Sequence, residues 1–592
     1  MPATPNKLSQ FWQELKRRKV VHVITVYASA AFVIIELINN LAEPLNLPPN
    51  LLTIVVIVLA LGFPLAIILS WLYDVTSEGV EKTKPIEELK EGEKRGIPNA
   101  WKIATYVSFI VIICLAVLNI VGGGKQLRAG DIQSLVILPF ENYTGDDQLD
   151  NMVSSMHSLL CGDMGRISGL RVIGKTSSKI YKDTDMSAKD IARELNVDAV
   201  LEPTIMCLGD SVCMQFRLVS TTGEEDQIWV GDYREDKRQI LNLFNRITRQ
   251  VADEVKIELT PEEERLLSIS KTVDRDAYDA FLRGYAFWGD LSEESLTKAW
   301  EYFTFAIEKD PGWAPLYAGL AQVWALRQQL KLTEPSIAIP KIRHNINKAL
   351  ELDPDFADSH FANAIIAVWT EWNWEKGEKE FLKALAINPN DVMSRSYYAQ
   401  LLIILQRSDE AVAQGQLAVE LDPLNPLILA LFSIIMEDAH EYQAAYSYAE
   451  KAIAADPKHQ FAQGIMGAAA YNIGDYEKAF EADKKYHLPF EEEVISSIDE
   501  VFREKGRLAA YEEIVAQFEL KAQNSFVSPN LMARRYIQVN QVDKAMDFIE
   551  KGYEMHEPSI PYIATGDVFE PLFDNPRFIE ILQKMNLPLP KD

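Results

Sequence analysis

The sequence predicts a membrane-anchored, multi-domain chain: three transmembrane helices, a small α/β domain, and then an all-α repeat solenoid. Three observations carry that expectation. Apolar runs of about 20 residues stand near the amino terminus, the length that crosses a hydrocarbon core of ~30 Å. Short β-branched strands alternate with helical segments from residue 130 onward, and the second half repeats a small-residue and proline pattern at nearly constant spacing. At 592 residues the chain exceeds what one hydrophobic core supports. Its 48% hydrophobic content looks ordinary because a long polar second half dilutes the apolar beginning. A net charge of -27 with no basic face argues against nucleic acid as a partner.

Residues 20–42, 51–73 and 103–122 are the expected spans. Lysine and arginine set their orientation. Lys7, Lys16, Arg17, Arg18 and Lys19 precede the first span, so 1–19 is expected in the cytoplasm. The turn 43–50 has no lysine or arginine, whereas 74–102 holds Lys82, Lys84, Lys90, Lys94, Arg95 and Lys102 and reads as a cytoplasmic loop. Everything after Gly122 then lies outside. Glu36, Asn39 and Asn40 fit an interfacial polar contact better than a proton relay.

Residues 130–262 read as the α/β domain. Ser134 to Phe140 is a buried strand, Leu149 to Ile167 a helix, Leu170 to Gly174 a strand, and Ser187 to Leu195 a helix capped by its serine. Ala199 to Cys207 and Val212 to Val219 form a hairpin, and Gln239 to Leu259 a closing helix. Cys207 and Cys213 flank the turn, which sets their sulfurs across from each other. A bond there would stabilise by about 2 kcal/mol in the chain-entropy model and needs an oxidising compartment; in a reducing one both remain thiols. The other two of the four cysteines read as small buried residues.

Residues 275–592 read as a repeat array. The pattern A-x(3)-[DN]-P recurs at Ala306–Pro311, Ala349–Pro354, Ala384–Pro389, Ala418–Pro423 and Ala452–Pro457, with the last three prolines 34 residues apart. That is the tetratricopeptide period. The alanines mark sites where two helices approach closely, and each proline follows the second helix of a pair. Trp288, Trp300, Trp313, Trp324, Trp369, Trp372 and Trp374 fit inter-helix core better than a ligand platform. Arrays of this kind bind along the concave face of their first helices, so Ser396, Gln400, Ile403, Ala430, Ile434, Glu437, Gly464, Ala468 and Tyr471 are the candidate partner-binding residues.

A resemblance joins these parts. Leu138-Pro139-Phe140-Glu141-Asn142, Ile167 to Ile173, Thr176-Ser177-Ser178, Ala192 to Val197 and Val200-Leu201-Glu202 resemble the TolB-amino-terminal or FlgO-like domain. Lys16-Arg17-Arg18-Lys19-Val20, Gly62-Phe63-Pro64 and Trp71-Leu72-Tyr73-Asp74 resemble the three-span leader of bacterial proteins of the CadC-like and tetratricopeptide adenylate cyclase kind. The resemblance implies an architecture and carries no catalytic residues. No P-loop, H-E-x-x-H, G-x-S-x-G or dinucleotide motif is present, so the sequence predicts no enzyme, no metal and no cofactor. The expected role is a bacterial inner-membrane, multi-pass scaffold whose periplasmic domains bind envelope proteins or peptides, with the lipid bilayer as anchor and a homo-oligomer as an option. The alternative is a transmembrane sensor that signals to a separate cytoplasmic partner.

Overall fold

The structure, a computed structural model, describes residues 132–590 apart from 223–224, 289–291, 330–331 and 485–487, together with 73–76, 79–82 and scattered positions between 20 and 63. The chain divides into two compact units, Met1–Gly124 and Lys125–Asp592.

Among the described residues no helix is long and apolar enough to cross a membrane. This corrects the expectation of three transmembrane helices and of a multi-pass inner-membrane protein with a cytoplasmic amino terminus and periplasmic domains. Segment 1–19, nearly all of 20–42 and 51–73, and all of 103–122 lie outside the described residues. Within the first unit, Tyr73, expected to close the second helix, instead opens β1 (Tyr73–Thr76). This strand pairs antiparallel with β2 (Gly79–Lys82) inside the segment expected to be a loop. Hydropathy and run length are blind to backbone conformation, and the aromatic and β-branched residues of Tyr-Asp-Val-Thr suit an extended strand.

The second unit begins with a mixed sheet. Its strands are β3 (Ser134–Ile137), β4 (Glu141–Asn142), β5 (Arg171–Val172), β6 (Ala199–Leu208), β7 (Ser211–Ser220) and β8 (Asp226–Asp236). The order is β5-β3-β6-β7-β8, with β3 parallel to β5 and β6, β4 parallel to β6, and β6, β7 and β8 an antiparallel meander. β3 is buried on both faces, as an apolar parallel strand should be. It stops before Pro139, which has no N–H to give the ladder. Leu135 and Ile137 point towards α1 (Asp150–Met164) and α4 (Ile240–Glu254), while Val136 meets α3 (Ala188–Leu195) on the opposite face. Ser187 caps α3 by accepting the Asp190 N–H at 3.2 Å. Cys207 and Cys213 are joined across the β6–β7 turn, with Cα atoms 4.8 Å apart. The sequence pattern predicts neither β8, a largely polar edge strand, nor the five-residue α2 (Lys175–Lys179).

After α5 (Pro261–Ser268), which starts with a Thr260/Glu263 capping box, the described residues form eight antiparallel helix pairs. They are α6–α7 (Arg275–Trp288, Glu293–Lys309), α8–α9 (Ala314–Gln329, Pro335–Leu352), α10–α11 (Ala357–Trp369, Trp374–Ile387) and α12–α13 (Val392–Ile404, Ser408–Leu421). There follow α14–α15 (Pro426–Asp438, Tyr442–Ala455), α16–α17 (Gln460–Asn472, Tyr476–Ala482), α18–α19 (Glu492–Lys505, Arg507–Ala522) and α20–α21 (Val542–Glu554 following Pro529–Gln538). Two 3-10 segments, Ile560–Ala564 and Asp567–Leu572, lead to α22 (Pro576–Lys584). The alanines of the repeat motif are buried where helices cross. Gly415 serves the same end, since a Cβ there would stand 2.5 Å from the Phe432 ring. The core of the sheet runs without a break into the first repeats, from Leu135 and Phe244 to Tyr278, Phe303 and Trp313, so the α/β domain and the array share one interior.

Candidate functional site

The nine candidate residues fall on three successive first helices: Ser396, Gln400 and Ile403 on α12, Ala430, Ile434 and Glu437 on α14, and Gly464, Ala468 and Tyr471 on α16. The structure separates them into two groups. Ser396, Gln400, Ile403, Ala430 and Gly464 are buried. Ser396 Oγ donates to the Val392 carbonyl of its own helix at 2.9 Å, and Gln400 Nε2 donates to the Leu431 carbonyl at 3.1 Å, tying α12 to α14. Those side chains hold helices together. Ile434, Glu437, Ala468 and Tyr471 keep part of their surface accessible.

Glu437 is unlike its neighbours. Its Oε1 is buried with no hydrogen-bond partner among the described residues. Burial pushes its carboxyl up to about 8, opposed in part by Arg534 on α20 and reinforced by the charge of Asp567. The adjacent Asp438 is raised to about 6, again by burial, although Ser408 Oγ donates to it at 2.6 Å. Tyr471 accepts from Arg507 at 2.6 Å, and that guanidinium lies over the Tyr476 ring at 4.8 Å.

The carboxyl-terminal segment packs along the turns that join α10 to α11 and α12 to α13. Trp369 Nε1 donates to the Tyr562 hydroxyl at 3.2 Å and Trp374 Nε1 to the Met585 carbonyl at 2.8 Å. The Trp372 ring stacks on His556 at 4.0 Å, and Gln406 Nε2 donates to the Pro588 carbonyl at 3.1 Å. These three tryptophans therefore hold the chain's own end.

On the opposite edge, the turns between repeats hold the α/β domain and its linker, through the Asp or Asn of four of the five motif copies. Asp310 accepts from the Asp274 N–H at 3.1 Å, and Asp353 pairs with Lys271. Asn388 Nδ2 donates to the Gly162 carbonyl at 3.3 Å. Asp422 Oδ1 accepts from the Ser177 N–H at 2.8 Å and from its hydroxyl at 2.6 Å. Asp456, the fifth, accepts from the Lys458 N–H in its own turn at 2.9 Å. Asn390 adds a fork: Nδ2 lies 3.0, 3.1 and 2.9 Å from the carbonyls of Gly165, Ile167 and Leu170, and Oδ1 accepts from the Val172 N–H at 3.1 Å. Gly174 permits the contact, because a Cβ there would stand 2.6 Å from Asp422 Cγ. Burial raises the Asp422 carboxyl, and its hydrogen bonds from Ser177 and Asn425 oppose that shift. The motif was legible in the sequence; its docking role was not, since its partners lie more than 200 residues away for Asn388, Asn390 and Asp422.

Beneath this junction His157 Nε2 lies 3.0 Å from the Ile137 carbonyl and 3.4 Å from both Cys161 Sγ and Ser178 Oγ. The pair resembles a nucleophile and base in spacing only. Burial pushes the imidazole down to about 4 and the Cys161 thiol up to about 12, so a neutral ring faces a protonated sulfur. Among the described residues no group of three or more His, Cys, Asp or Glu could hold a metal ion.

A tetratricopeptide repeat family model matches residues 380–413, from within α11 into α13. The array is built of tetratricopeptide repeats, units that mediate protein–protein interactions. Over 189 residues the chain is 27% identical to Putative adenylate cyclase 3 of Rhizobium meliloti (strain 1021), covering 32% of each protein. Over 143 residues it is 26% identical to Anaphase-promoting complex subunit 3 of Schizosaccharomyces pombe, covering 23% of this chain and 20% of that one. The chain thus spans a third or less of the length of these relatives. Among solved structures it is similar to PilW, a type IV pilus biogenesis factor, at 15% identity and a TM-score of 0.31, covering 38% of this chain and 99% of that one. It is also similar to YrrB, described as a TPR protein with an unusual peptide-binding site, at 21% identity and a TM-score of 0.22, covering 31% and 90%. Likeness at those scores says nothing of this chain's partner.

Proposed function

We propose that this chain is a non-catalytic binding scaffold whose array takes a protein or peptide partner on the accessible part of its inner face. The observation that carries the reading is Glu437: a buried carboxylate oxygen left without a hydrogen-bond partner, between accessible Ile434 on its own helix and Tyr471 on the next. Packing alone does not call for such a group, because burying an unpartnered carboxylate costs stability. We also read residues 130–262 as a domain of the TolB-amino-terminal or FlgO-like kind, supported by the motif series above. It rides on the inter-repeat edge, which leaves the inner face of α14 and α16 to a partner. Cyclase activity is named for the Rhizobium protein and is not part of the reading for this chain. The test is affinity capture with the full chain beside a Glu437→Ala/Tyr471→Ala variant. Partner recovery should fall severalfold while the melting temperature moves by a few degrees at most. A variant that keeps every partner would place recognition elsewhere, with the α/β domain as the next surface to examine.

A further inference from the structure

The last turn of α14 holds two acids, Glu437 and Asp438. A helix carboxyl terminus carries about half a negative charge, so cations belong there and anions weaken the helix. Asp567 and Glu570 come from the facing 3-10 segment Asp567–Leu572, and both charges act on Tyr442 at the start of the next helix. Four acids thus gather around one helix end. The nearby cations neutralise them only in part. Arg534 is close enough for its charge to act on Glu437, yet its guanidinium lies over the Phe569 ring at 5.3 Å and forms no salt bridge with Glu437. His440 stands 3.6 Å from Asp567 on the exposed rim. The repeat frame does not ask for an acid here either: 34 residues before and after Glu437 stand Ile403 and Tyr471. A local rule broken with only partial local compensation is where function is to be sought.

Two observations, the acid cluster left only partly compensated and the buried, partnerless Glu437 Oε1, ask for the same thing: a cation that also donates hydrogen bonds. We infer that the inner face at the α14 carboxyl terminus binds a lysine or arginine side chain of a partner peptide, with Glu437, which ionises as the cation arrives, as its ion-pair acceptor and Asp438 and Asp567 shaping the field around it. This rests on the partner-binding reading above and names the class of partner.

The probe is a short fluorescein-labelled peptide alternating Lys and Ser, with companions in which Gln or Glu replaces each Lys, titrated against the full chain by fluorescence anisotropy. The Lys peptide should bind and the Glu peptide should not. Glu437→Gln should weaken the Lys peptide about tenfold, because a desolvated charge pair is lost. Asp567→Asn, on a different element, should weaken it about threefold and carries the test if Glu437→Gln melts early. Glu493→Gln, on the solvent-open acidic hollow of α18 lined by Glu492, Glu493 and Glu500, removes the same charge and should change nothing. Equal binding of Lys and Gln peptides, unchanged binding by Glu437→Gln and Asp567→Asn, or an equal loss in Glu493→Gln overturns the inference. Free spermidine binding as tightly as the Lys peptide overturns its peptide part. Capture of a cellular partner is a separate readout, so the scaffold reading can stand while the charge preference fails.

Discussion

At the scale of single residues, burial decides what each motif position does. Ala418 and Ala452 are 1% and 0% exposed at helix crossings. Glutamate at either site would bury an unpaired charge, and Ala418→Glu or Ala452→Glu should cost several kcal/mol, read as a large fall in denaturation midpoint. Gln400 looked like a recognition residue from its register, but it is 1% exposed and bonded to the Leu431 carbonyl. Gln400→Ala should therefore cost about 1–2 kcal/mol by removing that buried hydrogen bond and leaving a gap in the core. Glu437 has a pH consequence. Its carboxyl titrates near 8 in the folded chain and near the usual 4.5 unfolded, so the folded state holds the proton more tightly between those values. Its contribution to stability is present below about 4.5 and is lost as pH rises towards 8. Glu437→Gln should gain stability relative to the parent across that window and match it at low pH; parallel melting curves from pH 4.5 to 8 would refute the assignment. His157 works in the opposite sense, since a folded value near 4 means stability falls as pH drops below 6.5.

At the scale of elements, several depend on what they dock against. Helix α2 has only five residues, too few to persist alone. Asp422 holds it in place through the Ser177 N–H and hydroxyl, and Ser177 Oγ accepts from the Leu424 N–H at 2.9 Å. Asp422→Ala leaves those donors unpaired, so amide hydrogen exchange across 174–179 should accelerate by an order of magnitude or more while the distant α20–α21 pair stays protected. Gly174→Ala should act the same way for a steric reason, because its new methyl would meet the Asp422 carboxylate.

At the scale of the whole molecule, residues 125–592 form one compact unit because the interior of the sheet continues into α6, α7 and α8, and because the inter-repeat turns grip the α/β domain as far along as Asp422. Thermal unfolding of this unit should show the α/β domain and the early repeats melting together by both far-ultraviolet and near-ultraviolet circular dichroism. Asn390→Ala with Asp422→Ala should separate them into two transitions; a single unchanged transition would mean that the shared apolar core alone holds them.

The sequence by itself determined the period of the array, the alanines at its crossings, the strand pair that brings Cys207 opposite Cys213, and the capped start of α3. Each of these is a local rule, written within a few tens of residues as periodicity, capping or turn chemistry. Hydropathy alone did not establish the three expected membrane helices, and β1 begins where one of them was to end. Tertiary structure decided what local patterns leave open. Whether Gln400 faces a partner or a neighbouring carbonyl, whether a motif Asp caps a turn or grips Ser177 across 245 residues, and whether a tryptophan waits for a ligand or holds the chain's own carboxyl-terminal segment are questions of which surfaces meet. Only the folded chain brings those surfaces together, because burial and hydrogen-bond partners are properties of neighbours in space.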